Sequence, residues 1–329
     1  MPVPPSPIDG EIRTGTWQIG RLAFAASASP PRLAHELSLL FKQSWRDHAP
    51  ASPTGSLTIH AGAAGIDWDE VPDDAIAVRD AGHILTLRTR QVAATLHRCD
   101  AGRDLTLVTR TADPDDATWP EVRVHLSIVL HRLLLALDAL YLHAAAVHID
   151  GRTHVFIGEK GAGKSTLSLA LGRAGGTVLA DDHVLIERRH DAGHYVVSGC
   201  EDRARLAADA ETWLFDRPLP GLSACFAGTW KKEFAIGDYV SAAAFTPFRI
   251  DALHFPVVGT SLTRTARSRA ATVIELLGRT RRSFRPQGPA DVDALLDFWG
   301  GLVAQAPAFN LELPGHLPAL SGLPALLRA

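Results

Sequence analysis

Nine consecutive residues hold the densest chemistry in the chain: Gly158-Glu159-Lys160-Gly161-Ala162-Gly163-Lys164-Ser165-Thr166. They match G-x-x-x-x-G-K-[ST], the pattern of a loop that wraps nucleotide phosphates. Glycines at these positions let successive N–H groups face phosphate oxygens without Cβ clashes. A helix starting just after the loop adds partial positive charge at its N-terminus. In such loops the lysine, here Lys164, reaches the β- and γ-phosphates, and the hydroxyl, here Ser165, ligates Mg²⁺. The flanks agree with the pattern. A β-rich run, Thr153-His154-Val155-Phe156-Ile157, leads in. Leu167, Ala170, Leu171 and Ala174 then recur on one helical face, and Gly175-Gly176 stops that helix. The loop reads phosphates and not the base, so ATP and GTP fit it equally.

Acidic chemistry stands close behind. Asp181-Asp182 follows the β-run Thr177-Val178-Leu179-Ala180. A carboxylate at the carboxyl end of a strand can hold Mg²⁺, and a second can take the proton of an attacking hydroxyl. Adjacent strand residues point to opposite faces unless the chain bends, so the two need not share a role. His143 begins the strand expected beside the loop and can orient or tune one aspartate. Five of the 33 basic residues are lysine, at 42, 160, 164, 231 and 232; the rest are arginine. Since ammonium and guanidinium are not interchangeable, Lys231-Lys232 are candidates for a second phosphate contact. Arg203 and Arg205 are candidates to stabilise transition-state charge, and Glu201 is a further metal-shell carboxylate.

The elements that must position these residues can be read from pattern. Asp150-Gly151 between apolar runs predicts a hairpin, so the strand feeding the loop pairs antiparallel with the one starting at His143. A second hairpin is expected from Val184 to Ser198, turning at Asp191-Ala192-Gly193. Further strands are expected at 234–236 and 252–257, and helices at 270–277 and 290–303. The apolar stretch 122–146 carries several charged and histidine side chains, which suits a buried helix followed by a strand better than a membrane span. Thr118 is placed to cap that helix and Pro120 to open it. Residues 1–115 read as a separate β-rich N-terminal domain, suited to substrate recognition, with strands at 56–60, 84–88 and 105–108 and a helix near 31–45. Residues 116–329 form the domain that carries the loop. The fold class is α/β: a mixed sheet with flanking helices behind the phosphate loop, plus the β-rich N-terminal domain.

Composition narrows the function classes. The chain has 329 residues, a net charge of −3 and 46% hydrophobic residues. That charge supplies no global attraction to nucleic acid or an anionic membrane, so neither is expected as a partner. Cys99, Cys200 and Cys225 lack metal-ligand spacing and read as reduced thiols. The N-terminus lacks a secretory pattern, which makes a cytoplasmic protein the expectation. An arginine-rich stretch (Arg264, Arg267, Arg269, Arg279, Arg281, Arg282, Arg285) offers a docking face for an acidic peptide or a phosphorylated product, or a solvated helix face.

Three segments together carry a family resemblance: His143-Ala144-Ala145-Ala146-Val147, Gly158 to Ser165, and Leu179-Ala180-Asp181-Asp182-His183-Val184. They resemble the catalytic core of the HPr kinase/phosphorylase family, whose Ala-Asp-Asp strand end follows unusually soon after the loop helix. Phosphoenolpyruvate carboxykinases share related architecture. The resemblance implies ATP and Mg²⁺ as cofactors, with Gly158 to Thr166 at the nucleotide, Lys164 on the phosphates, and Ser165 and Asp182 at the metal; Lys231 joins the nucleotide on the lysine argument above. It implies one of the two aspartates, Asp181 ahead of Asp182, as base towards a serine hydroxyl, with His143 paired with that aspartate; Arg205 is the catalytic cation on the charge argument above. It also implies homo-oligomer formation. The family's His-Gly is His-Ala here, and its Glu-x-Arg-Gly-Leu-Gly segment has no match. The chain is therefore most similar to divergent HPr-kinase-like proteins, some of which phosphorylate a serine of a lasso precursor peptide. Kinases of small molecules such as free serine, and a nucleotide-gated switch protein that transfers phosphate only to water, are the alternatives.

Overall fold

The structure is a computed structural model. It describes residues 12–41, 45–47, 53–62, 66–68, 71, 76–99, 102–113, 116–215, 219, 223–226, 229–284 and 289–328. The chain divides into two compact units, Met1–Leu137 with Arg281–Asp291, and Asp138–Thr280 with Val292–Ala329. The division falls later than the composition break near 115. The helix that follows the break packs on the first unit's own strand and helix and so belongs with them.

Among the described residues the first unit holds an eight-stranded sheet. Its order is β3 (Trp45–Arg46), β1 (Arg13–Ile19), β2 (Leu22–Ser29), β4 (Gly55–Ala61), β8 (Gly102–Thr109), β7 (Val92–Cys99), β6 (Ile84–Arg88) and β5 (Ala77–Asp80). Two helices accompany it, α1 (Arg32–Leu40) and α2 (Trp119–Ala136). The strands expected at 56–60, 84–88 and 105–108 are β4, β6 and β8. Helix α1 ends before the expected limit of 45, because Trp45 pairs across from Trp17 as a strand residue. Trp17, Phe24 and Phe41 are buried together, with ring centroids 5.6 and 6.2 Å from Trp17. Thr118 precedes α2 but makes no cap hydrogen bond; its own N–H and hydroxyl donate to Asp116 instead. Pro120 opens the helix as expected.

The second unit is built on β9 (Ala139–Ile149), which starts four residues before His143. The main sheet runs β17 (Phe248–Arg249), β13 (His194–Gly199), β12 (His183–Arg189), β9, β10 (Arg152–Ile157), β18 (Ala252–Gly259), β20 (Ala308–Pro314), β19 (Thr263–Ala266). Strand β11 (Thr177–Ala180) also pairs with β9. The β9–β10 turn has positive φ at both Asp150 (52°) and Gly151 (74°), as a two-residue hairpin of this hand requires. Strand β10 lies antiparallel to β9 and parallel to β18, which buries Val155, Phe156 and Ile157 completely. That double flanking explains why β10 reads as a continuous apolar run.

Helix α3 (Lys164–Arg173) follows the glycine loop. Its buried side is wider than the sequence pattern implied: Leu167, Ser168, Leu169, Leu171 and Gly172 are buried, while Ala174 is exposed at the cap. Gly176 N–H donates to Leu171 O at 2.9 Å and Gly175 N–H to Gly172 O at 3.1 Å, with Gly175 at φ 98°. This is a left-handed helix stop that glycine adopts without Cβ strain. A small sheet in the order β14 (Arg203–Leu206), β16 (Thr229–Ala235), β15 (Ser223–Phe226) and helix α4 (Ala208–Phe215) pack against α3. Helices α5 (Arg269–Phe284), α6 (Pro289–Gln305) and α7 (Leu323–Arg328) complete the described α-helices. The side chains of Cys99 and Cys225 lie outside the described residues; Cys200 is buried and not in a disulfide. Among the described residues no helix is long and apolar enough to cross a membrane.

Strand β9 serves two partners in sequence. Its distal part, Ala146 to His148, pairs with β11, and its proximal part, Ala139 to His143, pairs with β12. Asp181-Asp182 is the bend between them, held to β9 by Ala144 N–H donating to Asp182 O at 3.0 Å. Gly199 on β13 touches this junction closely: a Cβ there would run into the Leu179 carbonyl. Gly199→Ala is expected to lower unfolding stability by about 1–3 kcal/mol through overpacking. Urea denaturation tests this, and an unchanged midpoint would show that β11 yields freely.

Candidate active site

The glycine loop connects the buried end of β10 to the first turn of α3. Gly161 (φ 87°) and Gly163 (φ 84°) take left-handed backbone that a side chain would strain. Lys164 is the first helical residue and only 6% exposed. Its Nζ donates to the carbonyls of Gly158 (2.9 Å) and Glu159 (3.1 Å), folding the side chain back over the loop. Burial lowers its pKa to about 8, with the Arg279 and Lys231 charges pushing the same way and Asp181 and Glu159 opposing. Glu159, Lys160 and Gly161 are exposed at the loop's crest; Ala162, Gly163, Ser165 and Thr166 are half-buried.

The two aspartates occupy different environments. Asp181 is 2% exposed. It accepts from Ser168 Oγ (3.3 Å) and from Arg205 N–H (3.1 Å), and the nearby Ser165 hydroxyl also favours its charged form. Burial raises its pKa despite those hydrogen bonds. Asp182 is half-buried. Its Oδ1 lies 2.7 Å from His143 Nδ1, and its Oδ2 lies 3.3 Å from an Arg205 guanidinium nitrogen. The pairing of His143 with Asp181, expected from the family resemblance, is thus corrected. His143 meets Asp182, because the bend turns Asp181 inward under the loop and leaves Asp182 on the β9–β12 surface. Arg205 touches both aspartates, through its backbone on one side and its guanidinium on the other.

Arg205 is itself held by Glu233, its partner in the β14–β16 register, at 2.7 Å, and Arg203 reaches the same carboxylate at 2.8 Å. Burial works to raise Glu233, but the two arginines override it and lower its pKa. The lysine pair separates as strand alternation requires. Lys231 shares the Glu233 face, and its charge acts on both Lys164 and Asp181. Lys232 faces the other way and binds Glu211 (2.9 Å) and the Leu219 carbonyl (2.7 Å). Its role in the fold is therefore structural, not a phosphate contact. Glu201 is buried beside His183, 3.6 Å away, and does not reach Ser165 or Asp181 by any described hydrogen bond.

The described arginines of the arginine-rich stretch lie in different environments. Arg264 lies 3.6 Å over the Phe309 ring and Arg267 4.5 Å over Phe255, Arg269 is exposed, and the side chains of Arg281, Arg282 and Arg285 lie outside the described residues. Arg279 on α5 instead approaches the glycine loop, 3.6 Å from Glu159 and 2.6 Å from Glu275. Sequence spacing could not assign it to the loop, which lies far away along the chain. Ser168 was findable in principle, one helical turn beyond Ser165 on the same face.

Mg²⁺ takes hard oxygen ligands. Asp181 and Ser165 supply such a pair, and a divalent cation there would offset the burial that raises Asp181. No protein-family model and no curated protein sequence matches the chain. Among solved structures, the Hpr(Ser) kinase/phosphatase from Coxiella burnetii is similar to it, with a TM-score of 0.30 and 13% identity over 57% of this chain and 93% of that one.

The buried ammonium gives a pH signature. Between pH 8 and 10.5 Lys164 is neutral in the folded chain and protonated in the unfolded one, so stability rises with pH across that window. Below pH 8 its buried charge costs stability in full. In Lys164→Met that contribution vanishes. The stability of wild type relative to the variant is therefore expected to rise from pH 7.5 to about 10. Paired urea titrations at both pH values measure it; a difference that stays constant would contradict a depressed pKa.

Proposed function

We propose that the chain is an ATP- and Mg²⁺-dependent kinase that transfers the γ-phosphate to a serine hydroxyl of a peptide or protein. The observation that carries this reading is the contact between a strand-end carboxylate and the helix that opens at the glycine loop: Asp181 accepts from Ser168 Oγ at 3.3 Å, one turn beyond Lys164 and Ser165. A phosphate loop and an acidic strand end in contact are the two parts that phosphoryl transfer needs from the protein.

In this reading the N–H groups of Gly158 to Thr166 and the α3 N-terminus bind the phosphates. Lys164 leaves the Gly158 and Glu159 carbonyls to contact the β- and γ-phosphates. Ser165 and Asp181 would hold Mg²⁺, which would neutralise charge on the phosphate oxygens. Asp182, half-exposed and aligned by His143, accepts the proton of the acceptor hydroxyl. This assignment reverses the order expected from the resemblance, and accessibility is the reason: an incoming hydroxyl can reach Asp182, whereas Asp181 is enclosed. Arg205 restrains both carboxylates and, with Lys231 and Arg279, supplies positive charge around the transferred group. The β-rich first unit is assigned to recognition of an extended substrate.

Incubation with γ-labelled ATP, Mg²⁺ and source-cell extract tests the reading, with Lys164→Ala as the inactive control. Label on a peptide or protein is the expected result. Label only on a metabolite would indicate a small-molecule kinase, and label only in free phosphate an ATP switch. Asp182→Asn is expected to cut transfer by about 10²–10⁴-fold while ATP binding persists. Asp181→Asn is expected to weaken the dependence on Mg²⁺. The reverse pattern would return the base role to Asp181.

A further inference from the structure

Beside the loop, the β9–β12 strand pair assembles a second donor set that the transfer reaction does not call for. His143 and His183 are direct cross-strand partners in the antiparallel register, so their side chains share one face. The backbone around them is tied on both sides, by Ala144 N–H to Asp182 O (3.0 Å) and Cys200 N–H to His183 O (3.2 Å). Asp182 stands between the two rings. One carboxylate oxygen is 2.7 Å from His143 Nδ1 and the other is 3.5 Å from His183 Nδ1. One ligand atom from each of the three residues lies within 4.8 Å of the others.

We propose that His143, His183 and Asp182 form a binding site for a divalent transition-metal ion of the zinc class, distinct from the hard-oxygen position at Ser165 and Asp181. Imidazole nitrogen and carboxylate oxygen bind such ions at about 2.0–2.2 Å, which sets ligand atoms roughly 3.3 Å apart around a tetrahedral centre. Side-chain rotation that opens the 2.7 Å separation and closes the 3.5 Å one reaches that value. Two nitrogens and one oxygen favour zinc-class ions over Mg²⁺, which prefers oxygen ligands throughout. Three protein ligands leave a fourth position, and His143, 44% exposed at its side chain, opens it to solvent. The surroundings brace the set. Tyr141 stacks on His183 at 4.8 Å, and the buried Glu201 carboxylate lies 3.6 Å from His183 Nδ1. Arg205 is the cation that an incoming ion must displace from Asp182. It can yield that oxygen and keep its carboxylate partner, Glu233.

Metal binding stands on these residues alone; its consequence rests on the kinase reading. An ion there occupies the carboxylate oxygens that would accept the substrate proton, so it inhibits transfer. The test titrates the nucleotide-free full chain with Co²⁺, followed by absorption spectroscopy, and with Zn²⁺, followed by calorimetry. One Co²⁺ per chain with the visible bands of a nitrogen-ligated tetrahedral ion is expected, displaced by Zn²⁺ and not by a large excess of Mg²⁺. His143→Asn and His183→Asn should each weaken Co²⁺ binding at least about tenfold, with folding checked by circular dichroism. Absence of those bands in the wild-type chain, or their persistence in the folded double variant, would overturn the site. In the labelling assay Zn²⁺ should suppress transfer and His183→Asn should relieve that suppression. Co²⁺ bound at the site in a chain that transfers no label would sink the kinase reading and leave the metal site standing.

Discussion

The constraint on which the second unit depends is the enclosure of an ionisable carboxylate. Asp181 is 2% exposed, and burial penalises its charge. An isolated carboxylate at such a position is costly unless it is hydrogen-bonded or faces a cation. The fold answers with donors from two elements: the Arg205 backbone N–H of β14 and the Ser168 hydroxyl of α3. The helix that opens at the glycine loop and the small sheet therefore converge on one side chain.

Strand β9 makes that convergence geometrically possible. It carries β11 along one stretch and β12 along the next, so the chain between them bends where the aspartates sit. Without the bend, Asp181 and Asp182 would point to opposite faces of a flat strand. With it, one turns beneath the loop and the other stays at the surface beside His143 and Arg205. Two identical side chains thereby acquire different solvation, different partners and different chemistry.

Charge around the loop is balanced and closely spaced. Lys164, Lys231, Arg205 and Arg279 are set against Asp181, Asp182, Glu159 and Glu233. Lys164 rests on loop carbonyls, where burial depresses its pKa to about 8. A polyanion entering the loop would add a further partner for these cations and draw the lysine from its carbonyls.

Much of this was legible in local pattern. The glycine loop, the Asp150-Gly151 turn, the strands on either side and the helix stop at Gly175-Gly176 follow from residue types that permit only a few backbone conformations. Strand alternation alone separates Lys231 from Lys232. Pairings between distant segments were not legible: His143 with Asp182 instead of Asp181, Arg205 with Glu233, Arg279 with Glu159, and His183 opposite His143. Helix α1 stops short of Trp45 for the same reason, since a pairing with Trp17 outweighs local helical preference. The sequence by itself determined which residues could do chemistry and the local turns that present them, because those depend on steric limits within a few residues. Only the tertiary structure decided which aspartate is enclosed, which is accessible and which cation each one meets, because burial and strand register depend on contacts between segments far apart in the chain.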